Sequence, residues 1–559
     1  STVARRHAAL RTRFALSGFS RPLQLVEQQT TIPLHVHDLR ELEEAARQDA
    51  LSAFMEEEKR RAFDWNRAPL MQLHAHRLSD ESFYLTLSFH HAILDGWSVA
   101  TLLAELFALY TSATPESPAA LMPAPQLTYR DFVALEQAAL DDESVQQFWD
   151  ERLAVIEPME LPRDPQIAPS DGPGQLAVEE RTLDEDLATQ LETLARRLGV
   201  PLKSLLLAAH LRVMALATGR DDVTTGLVVT GRPEVEDGER LLGLFLNTLP
   251  LSTTVAGSWR ELIDAALDAE RELLPRRRFP IARLQQRFGG QPLFETAFNY
   301  NHFHVYDQLE RLDALTIDEP TVFEYTNFPL MANFERESDE GGATRLRMRL
   351  NYDSARWSAP WMSELAQSYV RVLEAVVSDT ESEVHAVDLL GSAQRAQVVD
   401  QFNATAVDYG PAATLVELFE TQVDRSPNAE AVRFENRSWS YAELDERANR
   451  IAHRLQHSGA KPDGVVAVCM ERSADRVAAL YGVLKSGAAY LPLEPDLPAE
   501  RIAQILDEAA PVAVLCSEAT QSQLDETWPT VLISATSSES PERLSLTHDP
   551  ASLAYVIYT

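Results

Sequence analysis

The sequence predicts a mixed α/β protein of more than one compact unit, and three observations carry that expectation. Phe83, Leu85, Leu87 and Phe89 alternate with Tyr84, Thr86, Ser88 and His90, the period of a strand with two different faces. Leu102, Leu103, Leu106, Phe107 and Tyr110 follow at helical spacing. From about residue 412 onward, strand-like and helix-like segments take turns, the pattern of a doubly wound sheet. The chain has 559 residues. That is too many for one ordinary core and bounds the molecule at about two to four units.

Composition excludes several classes. Hydrophobic residues make up 45% and charged residues 24%, as in soluble globular proteins. No apolar run reaches the length of a membrane span. Ser1–Phe14 is basic but has no apolar run behind it, so it does not read as a secretory signal. A net charge of −35 repels phosphates and argues against a nucleic-acid partner. Two cysteines, Cys469 and Cys516, are too few for a disulfide framework or a cysteine-based zinc site. A reducing cytoplasm is the expected compartment.

The elements divide the chain into four stretches. Residues 1–160 mix strands and helices. The proline-rich run Glu157–Pro165, extending to Pro169 and Pro173, reads as a crossing linker. Residues 161–390 are a second mixed region, and over 391–411 the pattern loosens into a linker. Residues 412–559 form the alternating α/β part. There Ser440 and Glu443 stand at capping-box spacing, followed by a stripe of Leu444, Ala448, Ile451, Ala452 and Leu455 with Gly459 beyond the helix end. A strand follows over Val465–Met470, then a helix from about Asp475 to Lys485 and a strand over Ala489–Leu493. Lys485 reads as the basic last residue of its helix, with Gly487 as the cap.

The segment His90-His91-Ala92-Ile93-Leu94-Asp95-Gly96-Trp97-Ser98 joins the strand to its helix, with Ser98 as a plausible N-cap. A loop aimed by a rigid scaffold is a favoured place for chemistry. A neutral imidazole there can act as a general base. A carboxylate four residues on can orient the ring or meet an arginine. Gly96 allows close backbone approach, and the helix N–H groups can face a developing oxyanion. This suits acyl transfer without a protein nucleophile. From residue types and spacing alone, a metal pair and a merely structural histidine pair stay open. His90, on the strand face of Tyr84, Thr86 and Ser88, reads as buried and structural. No second ligand cluster accompanies a metal reading.

The segment His90–Gly96 matches the HHxxxDG signature of condensation domains in nonribosomal peptide synthetases, and Trp97-Ser98 continues it. Other segments resemble that family in order. Arg6-His7-Ala8-Ala9-Leu10-Arg11-Thr12-Arg13-Phe14 resembles RHxxLRTxF. Tyr129-Arg130-Asp131-Phe132 resembles its Y-x-D-[YF] motif. Gly231-Arg232-Pro233 and Gly243–Pro250 resemble a segment of the acceptor-side lobe, and Gln291–Thr296 the last motif. The resemblance covers residues 1 to about 390. Leu484–Pro495 resembles the LKAGxAYxPxxP motif of adenylation domains, and Trp439–Leu444 their first motif.

The resemblance implies two chloramphenicol-acetyltransferase-like lobes in a V, residues 1–160 and 161–390, then a linker at 391–411 and part of an adenylation domain at 412–559. It implies amide-bond formation between a donor acyl or peptidyl thioester and an acceptor aminoacyl thioester. Both substrates ride on the 4'-phosphopantetheine arms of upstream donor and downstream acceptor carrier domains. The catalytic pair implied is His91, as base or positioning group for the amine, and Gly96, as a backbone N–H near the thioester oxygen. His90, Asp95, Trp97 and Ser98 would support the loop, with Arg11 and Arg232 as candidate partners of Asp95. An α-ammonium with a pKa of about 8 needs only modest help to become nucleophilic. No metal and no covalently bound cofactor is implied; ATP and Mg belong only to a complete adenylation domain. The paired histidines disfavour heterocyclisation, and Trp97-Ser98 disfavours epimerisation. Leu94-Asp95 and Gly243–Pro250 lean toward D-configured-donor, dual or starter types. His302 and His304 alternate like strand residues and read as structural.

The family would place a strand–helix region before Arg6 and the phosphate loop after Thr559, so the chain is expected to be trimmed at both ends and its adenylation part inactive. The resemblance leaves two rivals, a non-catalytic condensation-like docking domain and a coenzyme-A-dependent acyltransferase.

Overall fold

The computed structural model describes residues 2–112, 123–168, 174–301, 315–316, 326–338, 344–410 and 412–559. His302 and His304, and the linker prolines Pro169 and Pro173, lie outside the described residues. The chain divides into two compact units, 1–397 and 398–559.

In the first unit the helix Thr2–Arg6 leads through a 3-10 turn, Ala8–Arg11, into a hairpin of β1 (Thr12–Ala15) and β2 (Leu23–Val26). A three-stranded sheet follows, ordered β3 (Leu34–Asp38), β4 (Met71–Arg77), β5 (Phe83–Phe89), with β3 parallel and β5 antiparallel to β4. A mixed six-stranded sheet forms the rest. Its order is β6 (Leu176–Thr182), β11 (Thr344–Asp353), β10 (Leu330–Ser338), β9 (Thr296–Asn301), β7 (Asp222–Thr230), β8 (Leu246–Thr254). Leu227, Phe298, Ala332, Phe334, Met348 and Leu350 alternate along these strands and share one core with the helices Glu185–Leu198, Leu202–Thr218, Trp259–Leu273 and Ala359–Ser378. The helix Leu202–Thr218 is apolar nearly all round because it is buried within that core. No single helix among the described residues is long and apolar enough to cross a membrane.

In the three-stranded sheet, the parallel register sets His35 opposite His74 and His37 opposite His76. Ring centroids lie 4.7 Å and 4.5 Å apart in these pairs, and His37 Nε2 meets His74 Nδ1 at 3.3 Å. That bond holds a single proton, so a second one breaks it. His74 and His76 are buried, and Phe54 packs against both. Glu58 stands 3.9 Å from His74 but is engaged by Arg61 and Gln72. Burial pushes His74 below the ordinary histidine range; Glu58 opposes this, while His35, His37 and Arg61 add to it. Burial, helped by His37 and His74, lowers His76 to about 4. Both rings bind protons more weakly folded than at the unfolded value of about 6.5. Their contribution is therefore present above that pH and lost as pH falls toward 4. Hydrogen-exchange protection of β3 and the adjoining helix Glu44–Glu58 should decline between pH 7 and pH 5, and His76→Phe should blunt the decline. Equal protection at both pH values would show that the cluster does not titrate there.

The second unit holds a hairpin of β12 (Glu430–Phe434) and β13 (Arg437–Ser440), then a parallel sheet ordered β15 (Ala489–Leu493), β14 (Val465–Cys469), β16 (Ala513–Cys516), β17 (Thr530–Leu532). Successive residues of β14 enter different cores. Val466 and Val468 pack with the helices Tyr441–His457 and Ala474–Lys485; Ala467 and Cys469 pack with Ala499–Ala509. Helices on both faces make the unit doubly wound, and burial on both faces explains why β14 reads as an unbroken apolar run. The Ser440–Glu443 capping box forms as its spacing predicts. Cys469 and Cys516 are buried free thiols, each raised to about 11, chiefly by burial.

Candidate active site

β5 ends at Phe89, and the chain turns through a single 3-10 turn, His91–Ile93, before the helix Gly96–Ser112 begins. His90 anchors the turn. Its backbone N–H reaches the Leu70 carbonyl, its Nδ1 accepts the Ala92 N–H at 3.1 Å, and its ring packs edge-to-face with Trp65, the ring centroids 4.2 Å apart. Burial, then the neighbouring His91, holds its pKa below the ordinary value.

His91 is exposed and makes a different kind of bond. Its Nδ1 lies 2.8 Å from the Leu94 carbonyl oxygen. A carbonyl only accepts, so Nδ1 carries the hydrogen and the neutral ring presents Nε2 as a lone pair. A turn away stands Gly96, whose N–H, as the first of a helix, has no intrahelical acceptor.

Asp95 is 2% exposed, and its carboxylate is filled by donors. Oδ1 accepts the Ser98 N–H at 2.8 Å and Arg232 Nη2 at 3.0 Å, and Oδ2 accepts the Phe245 N–H at 3.1 Å. The Asp95 N–H donates to the Gly243 carbonyl at 2.9 Å. Asp95, not Ser98, is therefore the residue that caps the helix: the side chain before the first turn satisfies the N–H three residues on. Ser98 lies inside the helix. Its hydroxyl donates to the Gly243 carbonyl and accepts from Gly243 N and Arg232 Nη2. Trp97 donates its indole N–H to the Glu239 carbonyl at 3.0 Å.

Of the two arginines expected beside Asp95, Arg232 is the partner. Its guanidinium also donates to the carbonyls of Gly238 and Leu241 and lies over the Phe245 ring. Burial draws its pKa down, and Asp95 opposes that. Arg11 is not a partner. Its donors go to the carbonyls of Ala4, Glu27 and Gln28, tying the N-terminal helix Thr2–Arg6 to the end of β2. Spatial reach decides this, since both arginines stand in motifs of equal promise.

Other partners are unforeseen by the sequence. Arg6 and His7 both bond Glu105, on the helix behind the loop, at 3.3 Å and 2.9 Å. Glu105 carries no local signal, being one acid within an apolar helix. Tyr129 donates to the Leu244 carbonyl at 2.6 Å, while Asp131 closes a capping box with Thr128. The Tyr-Arg-Asp-Phe motif thus braces the segment that meets Asp95. Among the described residues, no group of three or more His, Cys, Asp or Glu side chains is placed to hold a metal ion.

A family model for the condensation domain matches residues 1–399, and one for the AMP-binding enzyme matches residues 419–559. The chain belongs to the condensation domain family, with the opening part of an AMP-binding enzyme behind it. A linear gramicidin synthase polypeptide of Brevibacillus parabrevis is 30% identical over 577 residues, an alignment covering all of this chain and 7% of that protein. Phosphinothricin tripeptide synthetase PhsB of Streptomyces viridochromogenes is 32% identical over 586 residues, covering all of this chain and 48% of its own length. The chain thus spans less than half the length of each of these relatives. A solved four-domain nonribosomal peptide synthetase bound to AMP and glycine shares the fold, with a TM-score of 0.75 at 20% identity, over all of this chain and 43% of that one.

Proposed function

We propose that the first unit joins a carrier-bound acceptor amine to a carrier-bound donor acyl or peptidyl thioester, with His91 as base or positioning group. The observation that carries the reading is the tautomer of His91: Nδ1–H is committed to the Leu94 carbonyl, and Nε2 is left bare on an exposed ring. The amine nitrogen forms the new C–N bond as the thioester C–S bond breaks. Its surplus proton passes to Nε2 and leaves with the released thiolate as a thiol. The Gly96 N–H, at the helix start, would face the oxygen that gains charge. Asp95 holds the loop and moves no proton, since each of its oxygens already accepts from fixed donors. His90, Trp97, Ser98 and Arg232 support the loop, while Arg11 braces the N-terminal helix against the end of β2.

The pantetheine arms are the substrates' own tethers, supplied by donor and acceptor carrier domains of the remaining synthetase. We assign no ATP contact to Lys485, which is 2% exposed and paired with Glu420 and Asp445. The cytoplasm is the compartment this reading assumes.

Mass spectrometry of product from defined donor and acceptor carriers tests the assignment. Amide is expected from carrier-bound thioesters and little from free coenzyme A thioesters. Equal turnover of both would favour a coenzyme-A-dependent acyltransferase. Carrier binding without any amide would favour a docking domain.

A further inference from the structure

The segment that presents Arg232 is itself held by two adjacent arginines. At the end of β7, three consecutive carbonyls each accept a guanidinium N–H. Arg277 Nε donates to Thr230 O at 3.1 Å, Arg278 Nε to Gly231 O at 2.9 Å, and Arg278 Nη2 to Arg232 O at 3.3 Å. The arginine segment is fixed in turn from β8. Asn247 Nδ2 donates to the carbonyls of Arg277 and Phe279 at 2.9 Å and 2.7 Å, and its Oδ1 accepts the Ile281 N–H. The fit leaves no slack at Gly231, where an added Cβ would stand 3.0 Å from Phe132 and 3.3 Å from Arg278.

Arg278 commits its planar fork to neutral carbonyls, although burial, then Arg277, disfavours its charge. Glu234 is the acid nearby, and it pairs with Arg277 at 2.8 Å. A cation held this way does little for stability through charge pairing. What it fixes is the path of residues 230–232, and with it the guanidinium that fills Asp95.

We propose that Arg278, with Arg277 beside it, is a positioning residue for the catalytic loop, acting through Arg232 and Asp95. The proposal rests on the functional reading above for its kinetic consequence, and on geometry alone for its effect on the loop. Arg278→Met keeps the apolar stem and removes the donors. In the full chain, amide hydrogen exchange of residues 90–98 should quicken about tenfold, the order expected when hydrogen bonds from a charged donor are lost. With loaded carriers, kcat should fall by a similar factor while KM for the acceptor carrier holds. Arg278→Lys, which donates to one carbonyl at a time, should recover part of the loss. Because Arg278 acts through Arg232, the R232M/R278M double variant should be no slower than R232M.

Unchanged exchange over residues 90–98 in R278M would overturn the proposal. So would a double variant slowed by the product of both single effects, since that would mean Arg278 acts independently. Should R278M fail to fold, the exchange measurement passes to R278K, where wild-type rates over residues 90–98 would overturn it equally. If the wild-type chain makes no amide, the functional reading fails, and the exchange experiment still decides the positioning role.

Discussion

His91→Ala should slow amide formation by about 10²–10⁴-fold, the usual worth of a positioned proton acceptor, while the protein stays folded. The stability half of that expectation follows from exposure. His91 is exposed, and its ring makes one bond, to the carbonyl three residues on. The kinetic half follows from the same bond, which fixes the tautomer and leaves Nε2 as the one ring nitrogen able to take a proton. His90→Ala should behave in the opposite way. That ring accepts the Ala92 N–H and packs against Trp65, so its loss should loosen the turn and lower stability before it touches any proton transfer. Steady-state rates with loaded carriers, beside thermal unfolding of the same samples, separate the two. Full activity in H91A would remove the imidazole from the mechanism.

The alternation of residues 83–89 and the helical spacing after it made the strand, the turn and the helix legible, because burial on one face of each element leaves a periodic trace. The choice of helix cap was not legible. Asp95 and Ser98 are both good capping residues, and the contest is settled by Arg232, Gly243 and Phe245, which arrive from more than 130 positions away. The same distance hides the division of labour between Arg11 and Arg232. Each stands in a recognisable motif, and only the folded path brings one guanidinium to Asp95 and sends the other to backbone carbonyls. Nothing in the sequence marks Arg277 and Arg278, since their acceptors are carbonyls and carbonyls have no sequence signature.

In the second unit the capping box and the apolar stripe of Tyr441–His457 were visible, being local, but the place of Lys485 was not. From the sequence Lys485 reads as the basic last residue of its helix with Gly487 as the cap, which says nothing of where its ammonium goes. Here Gly487 does adopt a positive φ of 91°, as a helix terminator should. The Lys485 side chain, however, turns inward. Its Nζ meets Asp445 at 2.8 Å and Glu420, residues on two other helices.

Removing that ammonium should be costly. Lys485→Met would leave Glu420 and the nearly buried Asp445 with Arg543 as their remaining cation, itself already shared with Asp424. Breaking a buried pair by deleting one member costs about 3–5 kcal/mol, because the other charge stays desolvated. The chain has two units and need not unfold in one step. The measurement is therefore hydrogen exchange of the helices Leu415–Arg425, Tyr441–His457 and Ala474–Lys485, whose protection should fall together by about two to four decades. Arg543→Met should cost less, since that side chain is one-third exposed and water can replace part of what it supplies. A K485M variant with wild-type protection in all three helices would mean that the carboxylates take up protons or reach water once the lysine is gone. In that event the ion pairs seen here would contribute orientation but little stability.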